Sequence, residues 1–307
     1  MAYEIIHADC FDWLKTCPPG SFHAVITDPP FGFREFTRVE LTKMKNGHGG
    51  VWRIPPVIGG SQRAPLPRFT VLSPQDVEQM AEFFGQWAEL LLPALVPGGH
   101  LFIAATPLWS HVVFSAVAEA GFEKRGEIVR LVRTLRGGDR PKGAEAEFPN
   151  VSAMPRSCWE PWGVFRKPFE GTLAGNLRQW KAGGLRRLPG GNPFPDVIDS
   201  VRTPRRERDI APHPSLKPQQ FLRLLAWAAL PLGHGRILDP FAGSGSTLAA
   251  AEALGYDSKG IEIDDDYIRV ARRAIPELAK LSAGVTARRN GKSAEAMLPL
   301  FELPEDG

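Results

Sequence analysis

The stretch Asp239-Pro-Phe-Ala-Gly-Ser-Gly-Ser-Thr247 decides the fold of this chain of 307 residues. It follows Arg236-Ile-Leu238, which predicts a buried strand, and precedes the alanine-rich run 247–254, which predicts a helix. Gly243 and Gly245 permit a tight turn, and the helix after them presents free backbone amides to a ligand. A glycine-rich turn between a strand and a helix therefore indicates a nucleotide-type site in an α/β sheet.

An acidic residue at the end of the next predicted strand supports the same site. The run 258–263 predicts a strand, and Glu262 follows the glycines by about twenty residues, the spacing at which an acid accepts hydrogen bonds from ribose hydroxyls. A dinucleotide site carries a third glycine three positions after the second, and here that position is Leu248. The pair indicates a nucleoside site rather than a dinucleotide site.

Strands and helices alternate along the rest of the chain. A helix is predicted to begin at Ser73 and to stop at Pro97-Gly98-Gly99, with a buried strand following over 100–105. Further strands are predicted at 3–6, 23–27, 127–135 and 162–166, and further helices at 109–120, 218–229 and 264–280. This alternation predicts an α/β protein with a doubly wound, mostly parallel, Rossmann-like sheet. We expect a single catalytic domain over 1–283 and assign no structure to the polar tail 284–307.

The net charge of +3 conceals two basic segments. Residues 34–72 hold seven Lys and Arg against two acids, and residues 166–210 hold ten against five, so each segment is net +5. Both concentrate Gly, Pro and Trp and are poor in helical or strand periodicity, which predicts insertions carried on a better ordered frame. Solvated loops would show the same charge, but basic loops with interleaved aromatic residues are also typical of surfaces that bind a phosphate backbone.

A second motif, Asp28-Pro29-Pro30-Phe31, follows the predicted strand 23–27. The prolines fix the backbone and donate no hydrogen bonds, so the turn presents the Asp28 carboxylate and the Pro29 carbonyl as rigid acceptors beside the ring of Phe31. Two acceptors and a stacking ring suit an amino-bearing base, because accepting hydrogen bonds from its NH2 group orients the amine lone pair toward a methyl sulfonium. A rigid strand-to-loop turn without a catalytic role is the alternative explanation.

Together these motifs resemble the family of DNA methyltransferases that modify adenine N6 or cytosine N4, in its permuted (beta) arrangement. In that arrangement the D/S-P-P-Y/F motif comes early and the F-x-G-x-G motif late, as 28–31 and 241–245 do here. The segment His213-Pro-Ser-Leu-Lys-Pro218 resembles the family's HPxxKP element, Ala8-Asp9-Cys10 its GD element, and Val96-Pro-Gly-Gly99 its KPGG element. Several separated motifs in the family's order make the resemblance specific.

The resemblance implies S-adenosylmethionine as the cofactor and assigns roles to individual residues. The catalytic residues are Asp28, Pro29, Pro30 and Phe31. The cofactor-binding residues are Asp9, Cys10, His213, Ser215, Lys217, Asp239, Phe241, Gly243, Ser244, Gly245, Ser246, Thr247, Glu262 and Ile263. The DNA-binding residues expected from the basic segments are Arg34, Arg38, Lys43, Arg186, Arg187, Arg205 and Arg206. Residues 167–212 correspond to the family's target recognition region, and 34–72 form an additional insertion behind the catalytic turn.

The resemblance at the same motif favours adenine as the target base without deciding between adenine and cytosine. Asp28 favours adenine, because cytosine-N4 enzymes of the family often carry Ser at this position. Phe31 replaces the commoner Tyr, which preserves the stacking ring and removes a hydroxyl. We expect double-stranded DNA as the substrate, with the target base rotated out of the duplex and methylated directly, without a metal or a covalent enzyme intermediate. Cytosine N4, an RNA or protein-amide substrate, and a catalytically silent DNA-binding relative are the alternatives, and the sequence leaves room for a homodimer and a cognate restriction endonuclease.

Composition excludes several other classes of protein. Cys10, Cys17 and Cys158 show neither CxxC spacing nor a nearby histidine cluster, so no zinc site or disulfide framework is expected. No window reaches the roughly 18 apolar residues of a membrane span, and the first residues lack a signal-peptide pattern. We therefore expect a cytoplasmic protein with no membrane partner.

Overall fold

An eight-stranded sheet is the frame of the protein in the computed structural model, which describes residues 3–30, 57–58, 61–62, 74–132, 140–141, 143–213 and 215–283. All strands of the described residues, including the two outside this sheet (β3 and β4), are β1 (Tyr3–His7), β2 (Phe22–Thr27), β3 (Val57–Ile58), β4 (Ser61–Gln62), β5 (Leu95–Ala104), β6 (Glu123–Leu131), β7 (Trp159–Arg166), β8 (Val197–Asp199), β9 (Arg236–Asp239) and β10 (Asp257–Glu262). The helices are α1 (Cys10–Thr16), α2 (Pro74–Ala94), α3 (Ser110–Glu119), α4 (Leu173–Trp180), α5 (Arg205–Ile210), α6 (Gln219–Ala229), α7 (Ser246–Ala253) and α8 (Asp265–Ala279).

The strand order confirms the predicted fold class. The order across the sheet is β1-β10-β9-β2-β5-β7-β6-β8, while β3 and β4 form a separate antiparallel pair. The first five strands in that order run parallel, and β7 is antiparallel to both β5 and β6. From β9 the chain continues to β10 on one side, and from β2 it continues to β5 on the other. The carboxyl ends of β9 and β2 therefore form the switch point where open α/β sheets bind their ligands.

Apolar layers cover both faces of the sheet. Alternate residues of the central strands point to opposite faces, so Val25 belongs to one core cluster while Ala24 and Ile26 belong to the other. Helices α1, α2 and α3 pack on the first face, and α6 and α7 pack on the second. Within the described ranges, we find no helix that is both long enough and apolar enough to cross a membrane.

The junction between α2 and β5 differs from the prediction. The helix ends at Ala94 and the strand begins at Leu95, before Pro97-Gly98-Gly99 rather than after it. These residues lie in an irregularity of β5, where the pairing with β2 jumps from Phe22↔Leu95 to Ala24↔His100. Gly98 has a φ of +79°, and a Cβ atom there would lie 2.3 Å from the Asn176 side chain. The glycine thus marks a close packing contact within the strand instead of a helix stop.

The segment 167–212 is also more regular than the predicted insertion. It contains α4, β8 and α5, and β8 extends the main sheet by pairing with β6. The Thr172 hydroxyl caps α4, and the Asn176 amide donates to the carbonyls of Pro97 and Ala182 at 2.9 and 2.8 Å. These elements have three to eight residues, so their periodicity is too short to recognise in the sequence. Strand β6 likewise begins at Glu123, four positions before the predicted start.

Candidate active site

The two motifs found in the sequence meet at the switch point. Val25 of β2 pairs with Leu238 of β9, so the residues that follow these strands lie side by side. The Thr27 hydroxyl donates to Asp239 Oδ1 at 2.8 Å, and this hydrogen bond is buried. The turn beginning at Asp28 and the glycine loop beginning after Asp239 are consequently fixed to one another.

Asp28 presents one occupied and one unoccupied carboxylate oxygen. Lys217 Nζ donates to Asp28 Oδ2 at 2.5 Å, while buried Asp28 Oδ1 has no hydrogen-bond partner among the described residues. Pro29 is buried and Pro30 is exposed, and Phe31 lies outside the described residues. Because a buried acceptor without a partner costs free energy, Oδ1 is suited to receive a hydrogen-bond donor from a bound molecule.

Two further charged residues surround this pair. Glu160 Oε1 lies 3.5 Å from Lys217 Nζ, and Glu160 Oε2 lies 3.1 Å from an Arg130 guanidinium nitrogen. Trp162 Nε1 also donates to Glu160 Oε1 at 2.8 Å. The sequence analysis missed Glu160 and Arg130, since no local pattern shows that they face each other across β6 and β7.

Burial and these charges shift the two carboxyl groups in opposite directions. Burial raises the pKa of Asp28 above its ordinary value, although the positive charge of Lys217 opposes the shift. Burial would also raise the pKa of Glu160, but Lys217, Arg130 and the Trp162 hydrogen bond together outweigh burial and lower it. Asp28 therefore binds a proton more readily than an ordinary aspartate, whereas Glu160 binds one less readily than an ordinary glutamate.

The glycine loop forms a close-fitting cradle. Gly243 and Gly245 have φ values of +51° and +82°, and a Cβ atom on Gly243 would lie 3.1 Å from His213 Nε2. Glu262 holds the loop, because its carboxylate accepts from the backbone amides of Gly243 and Asp264 at 2.7 and 2.9 Å. Other side chains would therefore disturb the loop at both glycines.

His213 and Asp239 flank this cradle. The His213 ring packs edge-on against Tyr267 at 4.5 Å, and its Nδ1 accepts from the Ser215 amide at 3.1 Å. Burial, together with the charge of Lys217, lowers the pKa of His213 to about 4, so the ring is neutral at pH 7. Burial raises the pKa of Asp239 to about 6, against hydrogen bonds from Thr247 and Thr27.

The Asp9 loop lies beside Glu262. The Ala8 amide donates to the Glu262 carbonyl at 3.0 Å, and the adjacent Ile263 side chain is 65% exposed. Asp9 caps α1 by accepting from the amides of Phe11 and Asp12. Cys10 is buried, and burial raises its thiol pKa to about 12, so it is a protonated packing residue.

The remaining residues of the predicted cofactor site lie in or next to the glycine loop, but not all of them face open space. The Phe241 ring packs against Trp87 at 5.7 Å and belongs to the core cluster on the α2 face. Ser244 and Thr247 are buried, and the Ser246 carbonyl accepts from the Gln219 amide group at 2.9 Å.

The predicted DNA-binding residues separate into distinct places. Arg34, Arg38 and Lys43 lie outside the described residues. Arg186 stacks on Trp227 at 3.5 Å and donates to the Tyr256 hydroxyl at 2.9 Å, and Tyr256 immediately precedes β10. Arg186 therefore lies at the amino edge of the parallel strands, about 15–20 Å from the switch point, because that is the length of a six-residue strand.

Arg187, the neighbour of Arg186 in sequence, donates to the Gly191 carbonyl at 2.7 Å. The pair Arg205 and Arg206 lies instead toward the carboxyl ends of the parallel strands. Arg205 and Arg206 are exposed on α5, close to Thr203, whose hydroxyl donates to the Leu216 carbonyl next to Lys217. Of the two arginine pairs that the structure describes, this one is thus placed near the Asp28 turn.

A doubly wound sheet that carries a glycine loop and an Asp-Pro-Pro turn on adjacent strand ends defines a Rossmann-like methyltransferase. A DNA methylase family profile matches residues 147–273, which include the glycine loop and Glu262. The chain is 24% identical to the type II methyltransferase M2.DpnII of Streptococcus pneumoniae over 277 residues, which cover 88% of each protein. The profile match and this likeness both support the N6/N4 family of DNA amino-methyltransferases.

Solved structures show the same fold. TTHA0409 of Thermus thermophilus, a putative DNA modification methylase complexed with S-adenosyl-L-methionine, superposes with a TM-score of 0.56 at 19% identity, covering 94% of this chain and all of that one (100%). The cytosine-N4-specific PvuII DNA methyltransferase superposes with a TM-score of 0.56 at 13% identity, covering 93% of this chain and 89% of that one. At these identities the likeness concerns the fold.

Proposed function

We propose that this DNA methyltransferase transfers a methyl group from S-adenosylmethionine to N6 of adenine in double-stranded DNA. The observation that carries the proposal is the buried Oδ1 of Asp28 at the switch point, next to the glycine cradle, for which the described residues offer no hydrogen-bond donor. An exocyclic NH2 group has the donor that this oxygen lacks.

The residues at the cradle fit S-adenosylmethionine. Glu262 keeps lone pairs for ribose hydroxyls while it holds the Gly243 amide, and exposed Ile263 offers an apolar surface to an adenine ring. The backbone approaches closely at Gly243, where a Cβ atom would meet His213. When bound, the cofactor supplies an electrophilic methyl group on a sulfonium. His213, Asp239 and the Asp9 loop complete the proposed set of residues around it.

The Asp28 turn would orient the target amine. Asp28 Oδ1 and the Pro29 carbonyl accept its two hydrogens, which leaves the nitrogen lone pair free for attack on a carbon electrophile. The raised pKa of Asp28 makes this carboxylate a better acceptor for the proton that the methylated amine releases. Phe31, the next residue in sequence beyond Pro30, would supply the ring on which the extruded base stacks.

Adenine is favoured over cytosine because position 28 carries an aspartate. Cytosine N4 is the second candidate, since its amine is equally planar and a cytosine-N4-specific enzyme shares the fold. Residues 167–212 are the proposed target recognition region, because they hold exposed Arg205 and Arg206 close to the Lys217 loop.

The base assignment is tested by digesting DNA methylated by the purified protein to nucleosides and separating them by mass and retention. We expect N6-methyladenine, with none in a reaction containing Asp28→Ala protein. N4-methylcytosine as the sole product would contradict the adenine assignment and keep the amino-methyltransferase chemistry. A product of 5-methylcytosine would contradict the mechanism, because carbon methylation requires an attacking cysteine.

A further inference from the structure

Four charged side chains form a continuous chain from β6 to the catalytic turn. Arg130 contacts Glu160, Glu160 contacts Lys217, and Lys217 donates to Asp28. We call these four residues the Arg130–Asp28 network. Their side chains are only 5%, 22%, 12% and 16% exposed, in that order, so solvent screens their mutual interactions weakly.

The contacts within the network are unequal. Lys217 Nζ lies 2.5 Å from Asp28 but 3.5 Å from Glu160, so the hydrogen bond goes to Asp28 while Glu160 adds a second, longer attraction to the same ammonium. Glu160 is itself fixed by Arg130 and by Trp162 Nε1. Lys217 consequently occupies Oδ2 of Asp28 and leaves Oδ1 available.

We propose that Glu160 is a positioning residue, which holds Lys217 against Oδ2 of Asp28 and preserves the proton affinity of the Asp28 carboxylate. The proposal rests on the proposed role of Asp28 as the acceptor for the target amine. It extends the site to β6 and β7, which contribute no residue to the motifs found in the sequence.

The charges around Asp28 explain the second part of this role. Among the described residues, the charged groups that face Asp28 are Lys217 from the loop before α6, Glu160 from β7, Arg130 from β6 and Asp239 from β9. The two cations favour ionised Asp28, and the Glu160 carboxylate opposes them. Removing the Glu160 charge leaves both cations acting on Asp28 without that opposition, so the Asp28 pKa should fall.

The test compares Glu160→Gln with Glu123→Gln. Glu123 and Arg166 form a second Glu–Arg pair between β6 and β7, seven positions along β6 from the Arg130–Glu160 pair. At about 20 Å along the strand, the Glu123 charge should have little effect on Asp28. The Asp28 carboxyl is titrated by NMR in protein labelled with 13C at the aspartate carboxyl carbon, with Asp28→Asn identifying its resonance.

We expect the Asp28 pKa to fall in Glu160→Gln and to stay at the wild-type value in Glu123→Gln. An unchanged pKa in Glu160→Gln, or an equal fall in both variants, would overturn the proposal. This titration needs neither DNA nor cofactor, so its outcome stands even where the proposed methylation reaction fails.

Kinetics provide a second measurement. In Glu160→Gln we expect kcat to fall about tenfold through lost alignment of Asp28, with KM for DNA changed by less than about twofold. The acid limb of the kcat profile should move to lower pH, because Asp28 stays ionised to lower pH. Glu160→Asp, which keeps the charge, should retain the wild-type acid limb. A loss of kcat with an unmoved acid limb in Glu160→Gln would reduce Glu160 to a structural residue and overturn the proposal.

Discussion

At the scale of single residues, Asp28 differs from the other buried acid at the switch point. Asp239 Oδ1 accepts from both the Thr27 hydroxyl and the Phe241 amide, so its hydrogen bonds hold the loop together. Asp28 instead gives one oxygen to Lys217, and its other oxygen has no partner in the part of the chain that the structure describes. Asp239 therefore has a structural role, whereas Asp28 has an oxygen that can accept a hydrogen bond from a substrate.

This division predicts that Asp28→Ala loses methyl transfer but retains the cofactor. The rate should fall about a thousandfold, because an acceptor aimed at the reacting group is lost. The dissociation constant for S-adenosylmethionine, measured by calorimetry, should change less than about threefold, since no hydrogen bond of the glycine loop involves Asp28. Lys217 still faces Glu160 in this variant, so its charge keeps a partner.

Glu262→Ala is the matched control for the cofactor side. It should weaken S-adenosylmethionine binding about ten- to a hundredfold, because hydrogen bonds to a charged acceptor are lost. Equal losses of cofactor affinity in Asp28→Ala and Glu262→Ala would show that the two acids do not have separate tasks.

The sequence revealed the residues that belong to contiguous motifs and missed those that meet only through strand pairing. Asp28, Lys217 and Glu262 each lie in a short recognisable stretch. Arg130 and Glu160 are 30 residues apart in sequence and meet because β6 and β7 are antiparallel in one register. A shift of that register by one position would turn the two side chains to opposite faces of the sheet. No sequence pattern near either residue predicts the register.

At the scale of elements, strongly periodic helices were predicted well and short ones were not. Helices α2 and α8 each begin within one residue of their predicted starts at Ser73 and Asp264. Helices α4 and α5 lie in a segment predicted as an insertion, since eight and six residues give only about two turns each. The start of β5 was predicted wrongly because Pro97-Gly98-Gly99 can either end a helix or interrupt a strand. Here it interrupts the strand, since Asn176 packs closely against Gly98.

Helix α2 contains a glycine that should limit its stability. Gly85 lies inside the helix, and a Cβ atom there would meet nothing within 4 Å. Gly85→Ala should therefore raise the free energy of unfolding by about 1 kcal/mol through the helix propensity of alanine. Thermal unfolding should shift upward by about 2 °C.

Gly255→Ala is the control for this prediction. The space around Gly255 is equally open, but its φ of +74° disfavours any side chain. We expect a loss of about 1 kcal/mol in the free energy of unfolding. If both alanine variants changed stability in the same direction, backbone conformation would not be the controlling difference.

At the scale of the whole molecule, the two described arginine pairs lie toward opposite ends of the parallel strands. Arg205 and Arg206 are exposed near the Lys217 loop, whereas Arg186 is held by Trp227 and Tyr256 at the amino edge. A duplex that delivers a base to Asp28 must lie at the carboxyl edge. The positive charge of the segment 167–212 is therefore divided between a surface facing the site and a structural contact behind it.

The two pairs should respond differently to neutralisation. Replacing Arg205 and Arg206 with Gln should weaken DNA binding and reduce the salt slope by about two, because each lost phosphate contact releases about one counterion fewer. Replacing Arg186 and Arg187 with Gln should leave the slope unchanged and lower the free energy of unfolding by about 1–3 kcal/mol, through loss of the Trp227 stack and the Tyr256 hydrogen bond. Fluorescence anisotropy across a salt series and denaturant unfolding measure both effects. A smaller salt slope in the Arg186 and Arg187 variant, with an unchanged slope in the Arg205 and Arg206 variant, would place the DNA at the amino ends of the parallel strands.

The hydrogen bond between Thr27 and Asp239 joins residues 212 positions apart. During synthesis from the amino terminus, the Asp28 turn leaves the ribosome first, while its neighbouring strand β9 and its partner Lys217 are still untranslated. At roughly 5–20 residues per second, the interval is on the order of ten to forty seconds. Throughout that time β2 lacks its neighbour β9 and exposes an open edge that favours pairing with other chains. Nascent chains of this protein should accordingly depend on chaperones until β9 has emerged, and methylation should begin only after that point.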